Sequence, residues 1–200
     1  IENKREMSTD EIFRMLDNAN SFGIGVYNAW TVEPLLREDL SQILEHAHNL
    51  GMVTSLITNG KLLEEKLDEL EHLDMLSVSV DGLASYKDIR GIDFETILSG
   101  IKKAKERLPL MMNCVISGKN LDDIEDLIHL SYELGVKISF EPIYEFESIS
   151  KEVWDELGIK DIDKYKRTVD RLIQMKKQGY PIVNSLTYLK MVRDFDMNYT

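Results

Sequence analysis

Cysteine is nearly absent from this chain of 200 residues, with Cys114 its single example. One thiol forms no internal disulfide and cannot alone hold a metal ion or cluster, so a reducing compartment, the cytoplasm, is the expectation. Positive charge is also short. The 24 Lys and Arg stand against 36 Asp and Glu, a formal net charge of −12, which argues against wholesale binding to nucleic acid or an anionic membrane. No apolar run reaches the roughly 18 residues of a membrane span, and no signal-peptide pattern opens the chain. Phosphate-binding glycine loops of the Walker or dinucleotide type are missing, as are low-complexity segments, internal repeats and flexible linkers. An initiator methionine is missing too. The chain opens on Ile1 and reads as a piece of something longer.

What is present is a regular alternation of short apolar runs and helical patterns. The sequence predicts strands over Ile24–Ala29, Val53–Thr58, Leu76–Val80, Met111–Ile116 and Lys137–Glu141, with starts 23 to 35 residues apart. That pitch belongs to a repeated strand–helix unit with parallel strands. Between them Leu40, Ile43, Leu44, Ala47 and Leu50 repeat at helical spacing, as do Phe94, Ile97, Leu98, Ile101 and Ala104, then Ile124, Leu127, Ile128 and Leu134. Ser8 with Glu11 makes a capping box, and Asn120 is expected to cap the helix after it. Gly51 and Gly135 stop helices just before strands. Lys151–Gly158 and Ile162–Gln178 read as helices, Pro181–Asn184 as an extended piece and Ser185–Phe195 as one more helix. The fold class is therefore α/β with parallel strands. Five strands in 200 residues fit an open sheet or a partial barrel, since a complete eight-stranded barrel usually takes about 250 residues.

Parallel α/β sheets carry their chemistry at the carboxyl ends of the strands. The first strand leads into Trp30-Thr31-Val32-Glu33-Pro34-Leu35-Leu36-Arg37, the second ends in Thr58-Asn59-Gly60, and the third runs Ser77-Val78-Ser79-Val80-Asp81-Gly82. The fourth carries Asn113 and Cys114, and the fifth ends at Glu141-Pro142. Strand alternation puts Ser77, Ser79 and Asp81 on one face, with Val78 and Val80 on the other. That polar face is suited to a polar lumen or to serines bonded by neighbouring backbone. Glu33, Asp81 and Glu141 could converge as an acid/base pair, accept hydrogen bonds from ribose hydroxyls or an ammonium group, or be solvated loop acids. His46 and His48 point in different directions along one helix and make poor metal co-ligands. His72 and His129 read as surface or boundary residues, and Cys114 as a small buried hydrophobe. The nine methionines suit core gap-filling, and Glu64, Glu65, Asp68, Glu69 and Glu71 form a solvated face.

In order, these strand-end stretches resemble the radical S-adenosylmethionine (SAM) enzymes. Thr31-Val32-Glu33-Pro34-Leu35-Leu36-Arg37 corresponds to the family's Gly-Gly-Glu-Pro segment, often followed by Leu-Leu-Arg. Thr58-Asn59-Gly60 is similar to its Thr-Asn-Gly. Ser79-Val80-Asp81-Gly82, then Ile89-Arg90-Gly91, looks like its Ser-x-Asp-Gly and Arg-Gly pair, and Asn113-Cys114-Val115-Ile116 with Asn120 like the next unit. The resemblance covers about residues 8 to 145 and implies a partial (β/α)6 barrel whose first strand is missing. Residues 1–145 would form that core. Residues 146–200 would be a helical extension toward an auxiliary-cluster domain of SPASM or twitch type, to whose preceding stretch Asn184-Ser185-Leu186-Thr187-Tyr188-Leu189 is similar.

The resemblance also implies site residues. Glu33 and Pro34 would hold the SAM methionine amino group through backbone carbonyls and the Glu33 carboxylate. Thr58 and Asn59 would line the cavity or shape its turn. Ser79 and Asp81 would face the ribose or methionine portion, Asn113 would line the same cavity, and Arg90 would reach the SAM carboxylate or brace its loop. The parent protein would use a 4Fe-4S cluster, an electron donor and a small-molecule or peptide substrate. Thr31 and Val32 stand where the family carries glycines, which let backbone approach SAM closely. The three cluster cysteines that follow the family's first strand are not in this chain. Truncation just upstream of Ile1–Arg5 accounts for that, and the chain alone is expected to be inactive. Two other readings stay open: a cofactor-free barrel hydrolase using strand-end acids, and a non-catalytic acidic binding domain.

Overall fold

The computed structural model describes residues 5–30, 32–145 and 149–194. Expectations placed on Ile1–Lys4, on Thr31 and on Phe195 at the end of the last helix lie outside the described residues. Five strands, β1 (Val26–Ala29), β2 (Val53–Thr58), β3 (Met75–Ser79), β4 (Leu110–Ile116) and β5 (Lys137–Pro142), form one sheet in the order β1-β2-β3-β4-β5. Neighbours in the sheet are thus neighbours in sequence. Parallel strands joined consecutively by crossovers of one hand put every connecting helix on the same side. The fold class is α/β, with the strand arrangement of a partial barrel.

Two compact units make up the chain, one of Ile1–Val78 with Ile97–Leu110 and the other of Ser79–Thr96 with Met111–Thr200. In the first unit the helices are α1 (Thr9–Ser21), α2 (Leu40–Asn49), α3 (Leu63–Lys66) and most of α5 (Phe94–Ala104). The expected capping box opens α1: Glu11 N–H donates to Ser8 Oγ, and Ser8 N–H donates to the Glu11 carboxylate at 2.8 Å. β2 pairs in parallel with β1 and β3, matching Asn28 to Ser55, Ser55 to Met75 and Ile57 to Ser77. Strand alternation then separates two faces. Leu56, Thr58, Leu76 and Val78 are at most 1% exposed and make the helix-covered face, against which Ile43, Leu44, Ala47, Ile97 and Ile101 are also buried. The opposite face carries Asn28, Ser55, Ile57, Met75 and Ser77. There Ser55 donates to the Asn28 carboxamide at 2.9 Å, while Ser77, buried at 8% exposure, has a hydroxyl with no hydrogen-bond partner among the described residues.

The second unit repeats this two-faced pattern. β4 and β5 pair Asn113 with Ser139 and Val115 with Glu141 on one face, and Met112 with Ile138 and Cys114 with Phe140 on the other. The latter four are buried beside Ile124, Leu127 and Ile128 of α6 (Ile124–Leu134). Short α4 (Tyr86–Arg90) was not visible in the apolar pattern, being barely longer than a turn. Three more helices follow, α7 (Lys151–Leu157), α8 (Ile162–Lys177) and α9 (Leu186–Arg193). The extended piece expected at Pro181–Asn184 lies alongside β5, with Ile182 bridging Ile138 in parallel. Asn184 completes it by bonding both the N–H and the carbonyl of Phe140, at 2.8 and 2.9 Å. No helix among the described residues is long and apolar enough to cross a membrane.

Several sequence expectations shift, β3 and β4 by starting one residue earlier and β5 by ending one later. β1 begins at Val26 rather than Ile24, because Gly23 at φ +80° closes α1 and Ile24 N–H turns back to the Ala19 carbonyl. β3 ends at Ser79, one residue before Val80. Asn120 does not cap α6: the cap position is Asp123, without a side-chain cap bond, and the Asn120 carboxamide is used elsewhere.

Gly60, which closes β2, is required twice over. It sits at φ +80°, and a Cβ there would lie 3.0 Å from Val78 Cγ1 and 3.3 Å from Ile97 Cβ. Gly60→Ala is therefore expected to destabilise the fold by about 1–3 kcal/mol in urea unfolding, and a wild-type midpoint would contradict this. Ser77→Ala should move the other way. Removing a buried, unpartnered hydroxyl is expected to raise the unfolding free energy by about 1 kcal/mol; a loss of that size would show that the hydroxyl has a partner in solution.

Candidate cofactor site

Glu33 organises the first unit's candidate residues. After β1 the chain leaves the sheet, and Glu33 occupies the N-cap of a single 3₁₀ turn, Pro34–Leu36, with Pro34 at its first position, where no N–H is needed. Its carboxylate, 8% exposed, accepts from Thr58 Oγ1 at 2.7 Å, Leu35 N–H at 3.1 Å and Asn59 N–H at 2.8 Å. A buried carboxylate is tolerated only when its oxygens are hydrogen-bonded in this way. Thr58 also accepts from Gly60 N–H at 3.0 Å, and the Asn59 carboxamide accepts from Lys61 N–H at 2.9 Å. Glu33, Pro34, Thr58 and Asn59, named separately from the sequence, form one cluster at the carboxyl ends of β1 and β2. Val32 is 98% exposed and packs on nothing described.

A second cluster is built around Asp81. β3 ends at half-buried Ser79, and the chain turns at Asp81-Gly82 into α4. Asp81 Oδ1 accepts from Val115 N–H at 2.8 Å, so the carboxylate stands where a further strand carbonyl would, against β4. Oδ2 accepts from Arg90 Nε at 2.6 Å, and the guanidinium Nη2 also pairs with it. Arg90 is thereby tied to Asp81 within the loop after β3. Asn113 meets Ser139 from the adjacent strand through its carboxamide oxygen. Glu141 is exposed. Both oxygens of Glu33 and of Asp81 accept from the chain's own donors, an arrangement unlike the unengaged acid/base pair of a hydrolase.

Asp123 and Ser139 were not singled out from the sequence. Asp123 reads there as one of 36 acids. Its signal lay in Gly82, where a Cβ would come 2.8 Å from Asp123 Oδ2. The backbone at 82 approaches another part of the chain too closely for any side chain.

SAM presents an ammonium group, a carboxylate, a ribose diol and an adenine. In the first unit the carboxylate of Glu33 and the hydroxyls of Thr58 and Ser77 fit such groups in type, as do, within the second unit, the hydroxyl of Ser79 and the carboxamide of Asn113. The unpartnered Ser77 hydroxyl is what a face awaiting a polar ligand would show. An iron–sulfur cluster is not matched. Cys114 lies on the buried face of β4, and burial pushes its thiol well above the ordinary range, against the thiolate a cluster needs. No group of three or more His, Cys, Asp or Glu able to hold a metal ion is found among the described residues.

Comparison with known proteins gives the family. Residues 1–131 match the Radical SAM superfamily. A probable GTP 3′,8-cyclase from Methanococcus aeolicus is 32% identical over 211 residues, covering 98% of this chain and 69% of that protein. One from Saccharolobus islandicus is 29% identical, covering 87% of this chain and 59% of its own length. An AdoMet-dependent heme synthase from Methanosarcina barkeri is 28% identical, covering 87% and 51%. The chain thus spans about 59% of the length of the Saccharolobus relatives. Among solved structures, Streptococcus suis SuiB bound to S-adenosylmethionine has a TM-score of 0.73 at 17% identity, over 90% of this chain and 44% of that one. A domain of pyruvate-formate lyase-activating enzyme from Bacteroides vulgatus gives 0.61 at 18% identity, over 80% and 98%. These likenesses show the fold alone. The family match over residues 1–131, more than half of the chain, shows its membership: this chain belongs to the radical SAM superfamily.

Proposed function

We propose that this chain is the SAM-holding part of a radical SAM enzyme that acts on a small molecule. The observation that carries the reading is the Glu33 cluster. Three donors from two loops fix one buried carboxylate at the carboxyl ends of β1 and β2, inside the segment that matches the family. When bound, SAM would supply hydrogen-abstraction chemistry: with one electron from an outside donor its sulfur–C5′ bond would break, releasing methionine and leaving a 5′-deoxyadenosyl radical to take a hydrogen atom from substrate.

The chain's own residues bind and orient. Glu33 is held rigid by Thr58, Leu35 and Asn59, so it presents negative charge to an ammonium group with little reorganisation on binding. Backbone carbonyls beside Pro34 add acceptors for the same group. In the second unit Ser79 would offer a hydroxyl to the ribose, and Asn113, steadied by Ser139, would offer a carboxamide. Asp81 and Arg90 hold the loop after β3 in shape. Thr58 and Asn59 act on SAM through Glu33.

Relatives are named for GTP cyclisation and for heme synthesis; these names support a small molecule as substrate and do not separate one from another. An electron donor is the second partner the chemistry requires. The cluster is proposed to lie outside these 200 residues' ligand set, since their one cysteine is buried.

Calorimetric titration of this chain with SAM is expected to show saturable one-site binding, and Glu33→Gln to weaken it about tenfold, the effect of removing one charge-assisted contact. Absence of binding, or a Glu33→Gln affinity equal to wild type, overturns the reading. Anaerobic treatment with iron, sulfide and a thiol reductant is expected to give no 4Fe-4S absorption and, with SAM and dithionite, no 5′-deoxyadenosine. Either signal would show that the chain carries a cluster after all.

A further inference from the structure

The loop between β4 and α6 contains two buried polar residues that the SAM reading does not use. Asn120 is 0% exposed and Asp123 8% exposed, yet neither side chain caps α6, which they precede. Both side chains reach instead into the turn that follows β3. Asn120 Nδ2 donates to the Asp81 carbonyl at 2.7 Å and to the Val115 carbonyl at 2.8 Å, while its Oδ1 accepts from Ser117 N–H at 2.8 Å. Asp123 Oδ2 accepts from Leu83 N–H at 2.8 Å, Ser85 N–H at 2.8 Å and Ser85 Oγ at 2.7 Å. Six hydrogen bonds from two side chains therefore fix residues 81–85 and the end of β4.

The clamp is anchored on its far side as well. Gly118 N–H donates to the Leu157 carbonyl at the end of α7 at 2.7 Å, and a Cβ at Gly118 would come 2.6 Å from the Gly158 carbonyl oxygen. Gly82 is cut to fit the near side, since a Cβ there would fall 2.2 Å from Ser85 Oγ. Side chains buried this completely lose all their water hydrogen bonds and are retained only where the protein replaces them. Their burial fits a need to define the Asp81 turn.

We infer that Asn120 and Asp123 are positioning residues, a two-point clamp that sets the Ser79–Gly82 turn in its SAM-binding shape. The inference rests on the proposal that this turn meets SAM, and it adds that the β4–α6 loop determines affinity without touching the ligand. Three donors on one Asp123 oxygen need an acceptor and no charge, so asparagine at 123 can keep the clamp while alanine cannot.

Two readouts on the intact chain test it: SAM affinity by calorimetry and backbone-amide hydrogen exchange over residues 79–91. Asn120→Ala and Asp123→Ala are expected to weaken SAM binding about tenfold each, the loss typical of a buried hydrogen-bond partner. Exchange at Leu83 and Ser85 should accelerate while that of β5 stays as in wild type. Asp123→Asn should bind within about threefold of wild type with slow exchange, a rescue that a role in bulk stability or in charge would not give. Should Asn120→Ala fail to fold, the Asp123 pair decides alone. Unchanged SAM affinity with faster loop exchange overturns the positioning role, and unchanged exchange in Asp123→Ala overturns the clamp itself. Were wild type not to bind SAM, the SAM reading and the positioning role would both fall, and exchange would still decide whether the clamp exists.

Discussion

A parallel sheet wound in one direction can cover only one of its faces with its own crossovers, and that constraint governs how this chain distributes polar groups. In the first unit the helices bury Leu56, Thr58, Leu76 and Val78, leaving Asn28, Ser55, Ile57, Met75 and Ser77 opposite them. In the second, Met112, Cys114, Ile138 and Phe140 are buried, with Asn113, Val115, Ser139 and Glu141 on the other side. An aqueous exterior would accept any residue on such a face. Each unit carries serine and asparagine on that face, and the Ser77 hydroxyl of the first has no partner among the described residues, which supports the proposal that a polar ligand meets it.

Where the strands end, the same chain must hold negative charge in place without exposing it. Glu33 and Asp81 solve this alike, each by saturating both carboxylate oxygens with donors from neighbouring loops. Such networks cost desolvation and return geometric definition. Glu33 ties the loop after β1 to the end of β2, and Asp81 ties the turn after β3 to β4 and Arg90. The fold and the candidate site are thus stabilised by the same bonds, so substitutions at the site are also substitutions in the structure.

Much of this was legible in the sequence because periodicity reports burial. The strand at Val53–Thr58 was placed to the residue, and the α2, α5 and α6 apolar patterns all mark faces that are buried. The short motifs located the strand ends, because a glycine such as Gly60 is demanded by a contact whose partner, Val78, also lies in the pattern. What the sequence hid were long-range polar bonds. By local spacing Asn120 looks like the cap of the helix after it. Its carboxamide is taken by the carbonyl of Asp81, 39 positions away, a distance at which no periodicity operates. Arg90 was open between ligand and brace for the same reason, and Ser139 carried no local signal at all.

The most direct test of the central claim, that the polar strand ends are the surface SAM meets, is a backbone-amide NMR titration of the isotope-labelled chain with SAM. The account predicts shift changes concentrated at Glu33–Leu35, Thr58–Gly60 and Ser79–Gly82. Changes confined to the outer helices, such as the groove between α6 and α8 lined by Leu121, Ile128 and Arg167, would contradict it.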